Sequence, residues 1–372
     1  MKSNVLIAGG AGFIGSHLCD YLLERGYRVR VLDNLEPQVH GGSQKPPSYL
    51  NPEVEFILGD IRDSRKVETA LRGVDMVVHL AAAVGVGQSM YEIHKYMDTN
   101  TRGTSVLLEA LMKHPVRKLV VASSMSIYGE GLYKSHTGHF VQGLERTKEQ
   151  LQRADWNVYD ESGDVLYPVA TSEKKLPTLS SIYALSKYDQ ERMCLLFGNA
   201  YSVPVVAMRF FNVYGPRQAL SNPYTGVLAI FASRLLNGKP PLIFEDGNQM
   251  RDFVNVRDIA SACTLALEND SIQNEVFNIG SGRACSVQGI AESLAAVLDK
   301  EYIEPVITGK YRVGDIRHCY ADIEKAQQKL GYAPAVTLDK GMVELSGWLQ
   351  TQIAEDNAEM AAEQLAQRGL TV

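Results

Sequence analysis

A short apolar run at residues 4–8 passes without a break into Gly9-Gly10-Ala11-Gly12-Phe13-Ile14-Gly15. A segment with Ile14, Leu18, Tyr21 and Leu22 on one helical face follows. An apolar run that does not alternate suits a strand buried on both faces, as in a parallel sheet. Glycine at the turn lets the backbone approach a pyrophosphate, which then sits on the N–H groups that open the helix. Strand, turn and helix in register, with Gly9, Gly12 and Gly15 in a G-x-x-G-x-x-G spacing, therefore predict a doubly wound α/β sheet with a dinucleotide site.

Residues 27–32, 54–58, 76–80, 118–123 and 203–210 read as further buried strands, and 275–279 as a strand returning to the same sheet. Asp33 ends the second strand about twenty residues past the glycines, where a carboxylate meets the adenosine ribose hydroxyls. It would repel a 2′-phosphate, so NAD is expected rather than NADP. Asp60, after the third strand, stands to meet the adenine end of the cofactor. Leu80-Ala81-Ala82 is a small-residue turn suited to a close-lying cofactor, whereas His79 beside it reads as a packed strand residue. Residues 98–113 form one helix containing Asn100, and 227–236, 287–298 and 323–330 are further helices.

The fold class expected is α/β, a Rossmann-type doubly wound parallel sheet with a smaller α/β substrate-binding lobe. Residues 1–212 with 252–282 would form the NAD-binding domain, the remainder of 213–350 the lobe, and 351–372 a polar helical tail outside the motifs. The polar stretch after Gly129 reads as a lid or, preferably, a surface embellishment.

The net charge of −6 and the lack of a long basic run argue against nucleic acid and membrane surfaces as partners. No apolar run reaches the length of a membrane span, and the N-terminus leads straight into a strand. Cys19, Cys194, Cys263, Cys285 and Cys319 are scattered, with no pair at metal-ligand spacing. Reduced thiols, no metal and a cytoplasmic location are the expectation.

Tyr183-Ala184-Leu185-Ser186-Lys187 places a phenol and an ammonium one helical turn apart on the same face. Beside a nicotinamide, Lys187 would favour the phenolate of Tyr183, which could then take a proton from a sugar hydroxyl.

GGAGFIGSH (residues 9–17), the acid after strand two, GDIRD (59–63), HLAA (79–82), SSMSIYG (123–129) and YALSK (183–187) occur in the order seen in extended short-chain dehydrogenases/reductases. More narrowly, residues 4–350 resemble the NAD-dependent nucleotide-sugar epimerase/dehydratase family. The resemblance implies catalysis by Ser124, Tyr183 and Lys187, with Ser124 aligning the reacting sugar hydroxyl. It implies NAD contacts from Gly9, Gly12, Phe13, Ile14, Gly15, Asp33, Asp60, Ile61, Leu80, Ala81, Ala82, Asn100, Tyr183 and Lys187. A dTDP- or UDP-linked sugar would meet Ser124, Ser126, Asn212, Arg251, Arg312 and Asp315, with Arg317 a weaker candidate.

Sugar 4,6-dehydratases of this family carry Asp-Glu where this chain has Met125-Ser126. A thioether and a hydroxyl cannot do that acid–base work, so 4-epimerisation through a transient 4-keto sugar is expected. The phrase GDIRHCYAD (314–322) is most similar to the dTDP-L-rhamnose 4-epimerase branch, whose product is dTDP-6-deoxy-L-talose. UDP-hexose or UDP-uronate 4-epimerisation, or reduction or dehydration of a nucleotide sugar, are the alternatives. Relatives also imply a homodimer paired through the Asp98 and Ile182 helices.

Overall fold

The computed structural model describes residues 3–143, 145–222, 224, 226–312, 314–352 and 356–371. Seven strands form one parallel sheet: β1 (Asn4–Ala8), β2 (Arg28–Asp33), β3 (Glu55–Leu58), β4 (Met76–His79), β5 (Lys118–Ser124), β6 (Val205–Phe210) and β7 (Glu275–Ile279). Their order is 3-2-1-4-5-6-7, so the strand order reverses between β1 and β4, the point at which open α/β sheets hold ligands. The expected returning strand is β7, paired in parallel with β6.

The main helices are α1 (Phe13–Glu24), α2 (Ser64–Leu71), α3 (Gly103–Lys113), α4 (Ile182–Tyr201), α5 (Val227–Leu236), α6 (Val256–Glu268), α7 (Val287–Val297), α8 (Leu338–Leu349) and α9 (Ala358–Ala366). Period-two alternation divides each central strand between two cores. Val5, Ile7 and Val120 pack with Leu18 and Leu22 of α1 and Ile259 of α6. Leu6, Ala8, Leu119 and Val121 pack on the other face with Val67 of α2, Leu107 of α3 and Leu195 of α4. Each such aliphatic side chain contributes about 1.5–3 kcal/mol by burial, so both faces must stay covered. A third core joins α5, α7 and α8 through Phe231, Leu294 and Leu345.

Two segments differ from their sequence reading. The expected helix from residue 98 begins as a π-helical turn, Met97–Arg102, before α3. Asn100 in that turn is fully buried and its amide is bonded away from the helix, to the Ala83 backbone and Ser186. The stretch after Gly129 is not a plain loop. Leu132–Lys134, Phe140–Gln142 and Tyr167–Val169 form a small antiparallel sheet over a core of Tyr133, Val158 and Leu166.

Among the described residues, no cysteines are bonded to each other, no cluster of side chains could hold a metal, and no helix is long and apolar enough to cross a membrane.

Candidate active site

The C-terminal ends of the sheet strands open into a cleft of about 1070 Å³, which continues between the sheet and the smaller lobe. Gly9, Gly12, Phe13, Ile14, Gly15, Asp33, Ile61, Leu80, Ala81 and Ala82 all line it. The glycine turn is built for close approach. Gly9 has φ +83, and a Cβ there would stand 2.7 Å from the Ala81 nitrogen. A Cβ at Gly15 would come within 2.5 Å of the Gly9 carbonyl oxygen. No side chain caps α1 at Gly12, so the first N–H groups of that helix are left for an anion.

Asp33 is fixed at the wall, accepting from the Ala11 N–H at 3.0 Å and the Leu35 N–H at 2.9 Å. Turn, helix end and fixed carboxylate together fit a dinucleotide. Two of the cofactor residues expected from sequence do not line the cleft. The Asp60 carboxylate is taken by Arg62 (2.7 and 2.8 Å) and Asn34 (3.0 Å), and Arg62 holds it down to a pKa of about 2. Asn100 stands behind the wall. It accepts from the Ala83 N–H at 2.7 Å and donates to Ser186 Oγ at 2.9 Å, which fixes the loop that does face the cleft.

Tyr183, Lys187 and Ser124 converge on the same cleft. Ser181 caps α4 by accepting from the Ala184 N–H at 3.1 Å, which sets Tyr183 in the first helical turn and Lys187 in the next. Ser124 ends β5 and accepts from the Ser126 hydroxyl at 2.8 Å. Burial pushes the Tyr183 phenol above its ordinary pKa, and a hydrogen bond from Ser124 pulls it back. Burial brings the Lys187 ammonium down to about 8.

Lys187 does not bond Tyr183 in this structure; its Nζ donates to Gln190 Oε1 at 2.6 Å. Gln190 donates in turn to Thr104 Oγ1 at 2.9 Å, and Thr104 to the Asn100 carbonyl at 2.6 Å. Asn100 reaches Ser186, whose hydroxyl donates to the Tyr183 carbonyl at 2.9 Å. The Lys187 ammonium and the Tyr183 backbone are thus joined by one chain of hydrogen bonds that neither motif reveals. Gln190 Nε2 also lies 3.1 Å from His79 Nε2, and burial lowers the His79 pKa to about 3, so the imidazole stays neutral. Below Ser124, a buried Arg209–Glu191 ion pair at 2.7 Å, with Ser123 donating to Glu191 at 2.6 Å, anchors the end of β5.

Ser126, Asn212, Arg251, Arg312 and Asp315 line the same cleft. Asn212 Oδ1 and Arg312 Nε are buried without a hydrogen-bond partner. The Arg312 guanidinium lies over the Phe244 ring, 4.3 Å from its centroid. Arg251 is already engaged, donating to the carbonyls of Met250 and Arg317 at 3.0 Å each and to that of Ile316. Arg317 turns away from the cleft to Glu245 (2.8 Å) and Asp246 (2.6 Å). Val313, within the R-V-G-D phrase, lies outside the described residues.

The sequence reading missed two walls. Val84–Met90 with Lys95 and Tyr96 form one. The other is the C-terminal segment, which lies against the cleft along Ala361, Leu365 and Leu370. Gln364 Oε1 there accepts from the Tyr224 hydroxyl at 2.7 Å and from the Tyr91 hydroxyl at 3.2 Å. The apolar i, i+4 pair Ala361 and Leu365 signals an amphipathic helix, but nothing in the sequence says where that helix docks.

The profile of the NAD dependent epimerase/dehydratase family matches residues 5–148 and 156–280. The chain is 34% identical to a dTDP-L-rhamnose 4-epimerase of Burkholderia thailandensis, over 95% of this chain and 96% of that one. Among solved structures, UDP-glucose 4-epimerase of Thermotoga maritima with UDP-glucose superposes with a TM-score of 0.75 at 33% identity, covering 93% of this chain and 98% of that one. UDP-glucuronic acid 4-epimerase of Bacillus cereus, in complex with UDP-glucuronic acid and NAD, gives 0.76 at 29% identity over 93% and 99% of the two chains.

Proposed function

The chain belongs to the NAD-dependent epimerase/dehydratase family, and from that membership we propose that it inverts C4 of dTDP-L-rhamnose to give dTDP-6-deoxy-L-talose. It is an NAD-dependent nucleotide-sugar epimerase, as its relatives and structural neighbours are. The observation that carries the proposal is the single cleft. It is lined together by the glycine turn and Asp33, by Tyr183, Lys187 and Ser124, and by Asn212, Arg312 and Asp315.

Gly9, Gly12, Gly15 and the α1 N-terminus would hold the pyrophosphate of NAD, Asp33 its adenosine ribose, and Lys187 its nicotinamide ribose. Bound NAD supplies the acceptor, and then the donor, for the hydride of C4. Tyr183 takes the C4 hydroxyl proton and, once the 4-keto sugar has turned about its link to the diphosphate to present its opposite face, returns it to the C4 oxygen. Ser124 holds the reacting oxygen in line with the phenol, which shortens the proton's path. The unpaired Asn212 oxygen accepts a sugar hydroxyl, and Arg312, with its free Nε, takes a phosphate oxygen. Arg251 braces the Ile316–Arg317 backbone from beside it. Met125 and Ser126 offer neither an acid nor a base, so water is not eliminated.

Val86 and Met125, which line the cleft beside the Tyr183 and Ser124 elements, are apolar and suit the C6 methyl of a 6-deoxy sugar. Lys95, which also faces the cleft, is held by Glu36 at 3.3 Å and Glu92 at 3.4 Å, and so is not free for a uronate carboxylate. A UDP-hexose remains the second reading, favoured by the UDP-glucose bound in the Thermotoga maritima neighbour. Exposed Met112 of α3 and exposed Leu196 and Tyr201 of α4 support pairing of two chains along those helices.

Turnover of dTDP-L-rhamnose, UDP-glucose and UDP-glucuronate, followed by product analysis, tests the substrate. Preference for dTDP-L-rhamnose by at least about tenfold in kcat/KM is expected, about 1.4 kcal/mol of discrimination. Faster turnover of a UDP-sugar would overturn it. Tyr183→Phe should abolish turnover on the preferred sugar while retaining NAD.

A further inference from the structure

Among its described residues, the segment between Gly129 and Ser180 contributes no side chain to the cleft from residue 131 onward, yet it grips the turn that faces it. Three contacts converge there from outside. The Glu130 carboxylate accepts from the N–H groups of Arg317 (2.7 Å) and His318 (3.2 Å), and from the Tyr133 hydroxyl of the small sheet at 2.7 Å. Arg146, with its side chain 3% exposed, donates to Glu245 at 2.8 Å and to the Asp315 carbonyl at 3.2 Å. Trp156 lies against Tyr311, with ring centroids 6.3 Å apart. Tyr311 and Asp315 bracket the turn that carries Arg312, and that turn closes through the Asp315 N–H on the Arg312 carbonyl at 3.2 Å.

We propose that this segment is a brace for the Arg312–Asp315 turn, with Arg146 a positioning residue for the nucleotide sugar. The proposal rests on the reading that this turn holds the substrate. Arg146 acts along two routes. One is direct, through the Asp315 carbonyl. The other runs through Glu245, which sits in a left-handed conformation (φ +54) and donates its N–H to the Lys310 carbonyl at 2.7 Å. A non-glycine residue holds such a conformation only where its surroundings fix it. The next residue back is Phe244, the ring on which the Arg312 guanidinium lies. The planar fork of Arg146 reaches the carboxylate from one terminal nitrogen and the carbonyl from the other, a fixed spacing that an ammonium's single nitrogen does not reproduce. Without it, Glu245 shares only Arg317, which also serves the partly exposed Asp246, and Glu130 adds a second buried acid. The Glu245 bend and the Phe244 ring would then shift together, moving Arg312 away from its position at the cleft wall.

The test is calorimetric titration of NAD-loaded protein with dTDP, for the parent, Arg146→Gln, Arg146→Lys, Trp156→Ala and Arg312→Ala. Displacing Arg312 forfeits a charge-assisted hydrogen bond to phosphate, so Arg146→Gln should weaken dTDP binding by roughly tenfold or more. NAD content should stay at the parent's level, and Arg146→Lys should recover part of the loss by keeping the charge opposite Glu245. A purely structural role would lower NAD content and dTDP affinity together. Parent-like dTDP affinity in Arg146→Gln, with Arg312→Ala weakened, overturns the brace and leaves the site reading standing. Parent-like affinity in Arg312→Ala overturns the reading of the turn and the brace with it. Should Arg146→Gln fail to fold, Trp156→Ala decides: weakened dTDP binding supports the brace, and unchanged binding overturns it.

Discussion

Lys187 is where burial and chemistry pull against each other. Its side chain lies in the interior, bonded to an uncharged amide, and burial depresses its pKa to about 8. In the unfolded chain a lysine keeps its proton to about pH 10.4. Between those values the unfolded state binds the extra proton, so this residue's contribution to stability rises with pH. Below about 8 the folded protein carries the full cost of a buried ammonium. In ligand-free protein, stability relative to Lys187→Met should therefore improve in the parent's favour by up to about 3 kcal/mol as pH rises from about 8 to about 10.4. Denaturant titrations across that range check it, and a flat difference would show that Lys187 titrates normally. That the folded state tolerates this cost is consistent with a cation kept for binding and proton chemistry rather than for stability.

At the scale of elements, the glycine turn and the strands it serves make a sharp claim. Gly9→Ala would force a Cβ to within 2.7 Å of the Ala81 nitrogen while demanding a left-handed conformation of alanine. Loss of co-purifying NAD is expected, with destabilisation of roughly 1–3 kcal/mol; NAD content equal to the parent's would contradict the cradle. The sequence disclosed this element because strand, turn and helix are consecutive, and each residue type has a local reason to be there. The sheet was legible for the same reason, down to the returning β7. Asp60 was less so: its place after β3 suggested the cofactor, but Arg62 two residues on captures its carboxylate, a local signal that could have been weighed. Lys187 and Tyr183 were found by spacing, yet their link through Gln190, Thr104 and Asn100 joins segments far apart in the chain. The strands after Gly129 are three residues long, too short for periodicity to show.

For the molecule as a whole, the cleft is closed by parts of the chain that carry no family motif. The segment from Asp356 onward ties to Arg234 through Asp356 (3.2 Å) and Glu359 (3.3 Å), and to Tyr91 and Tyr224 through Gln364. Ending the chain at Gln350 should speed release of dTDP, read by stopped flow, by roughly tenfold, the equivalent of about 1.4 kcal/mol of lost contact. An unchanged release rate would show that the segment covers the cleft without holding its contents. The central claim is that one cleft oxidises and re-reduces the same carbon. The most direct measurement uses dTDP-L-rhamnose deuterated at C4, incubated with the NAD-containing enzyme in ordinary water without added cofactor. The expected product is the C4 epimer, its mass unchanged and the deuterium still at C4. A product lighter by one water, deuterium lost to solvent, or NADH accumulating in step with substrate consumed would contradict epimerisation by return of the same hydride.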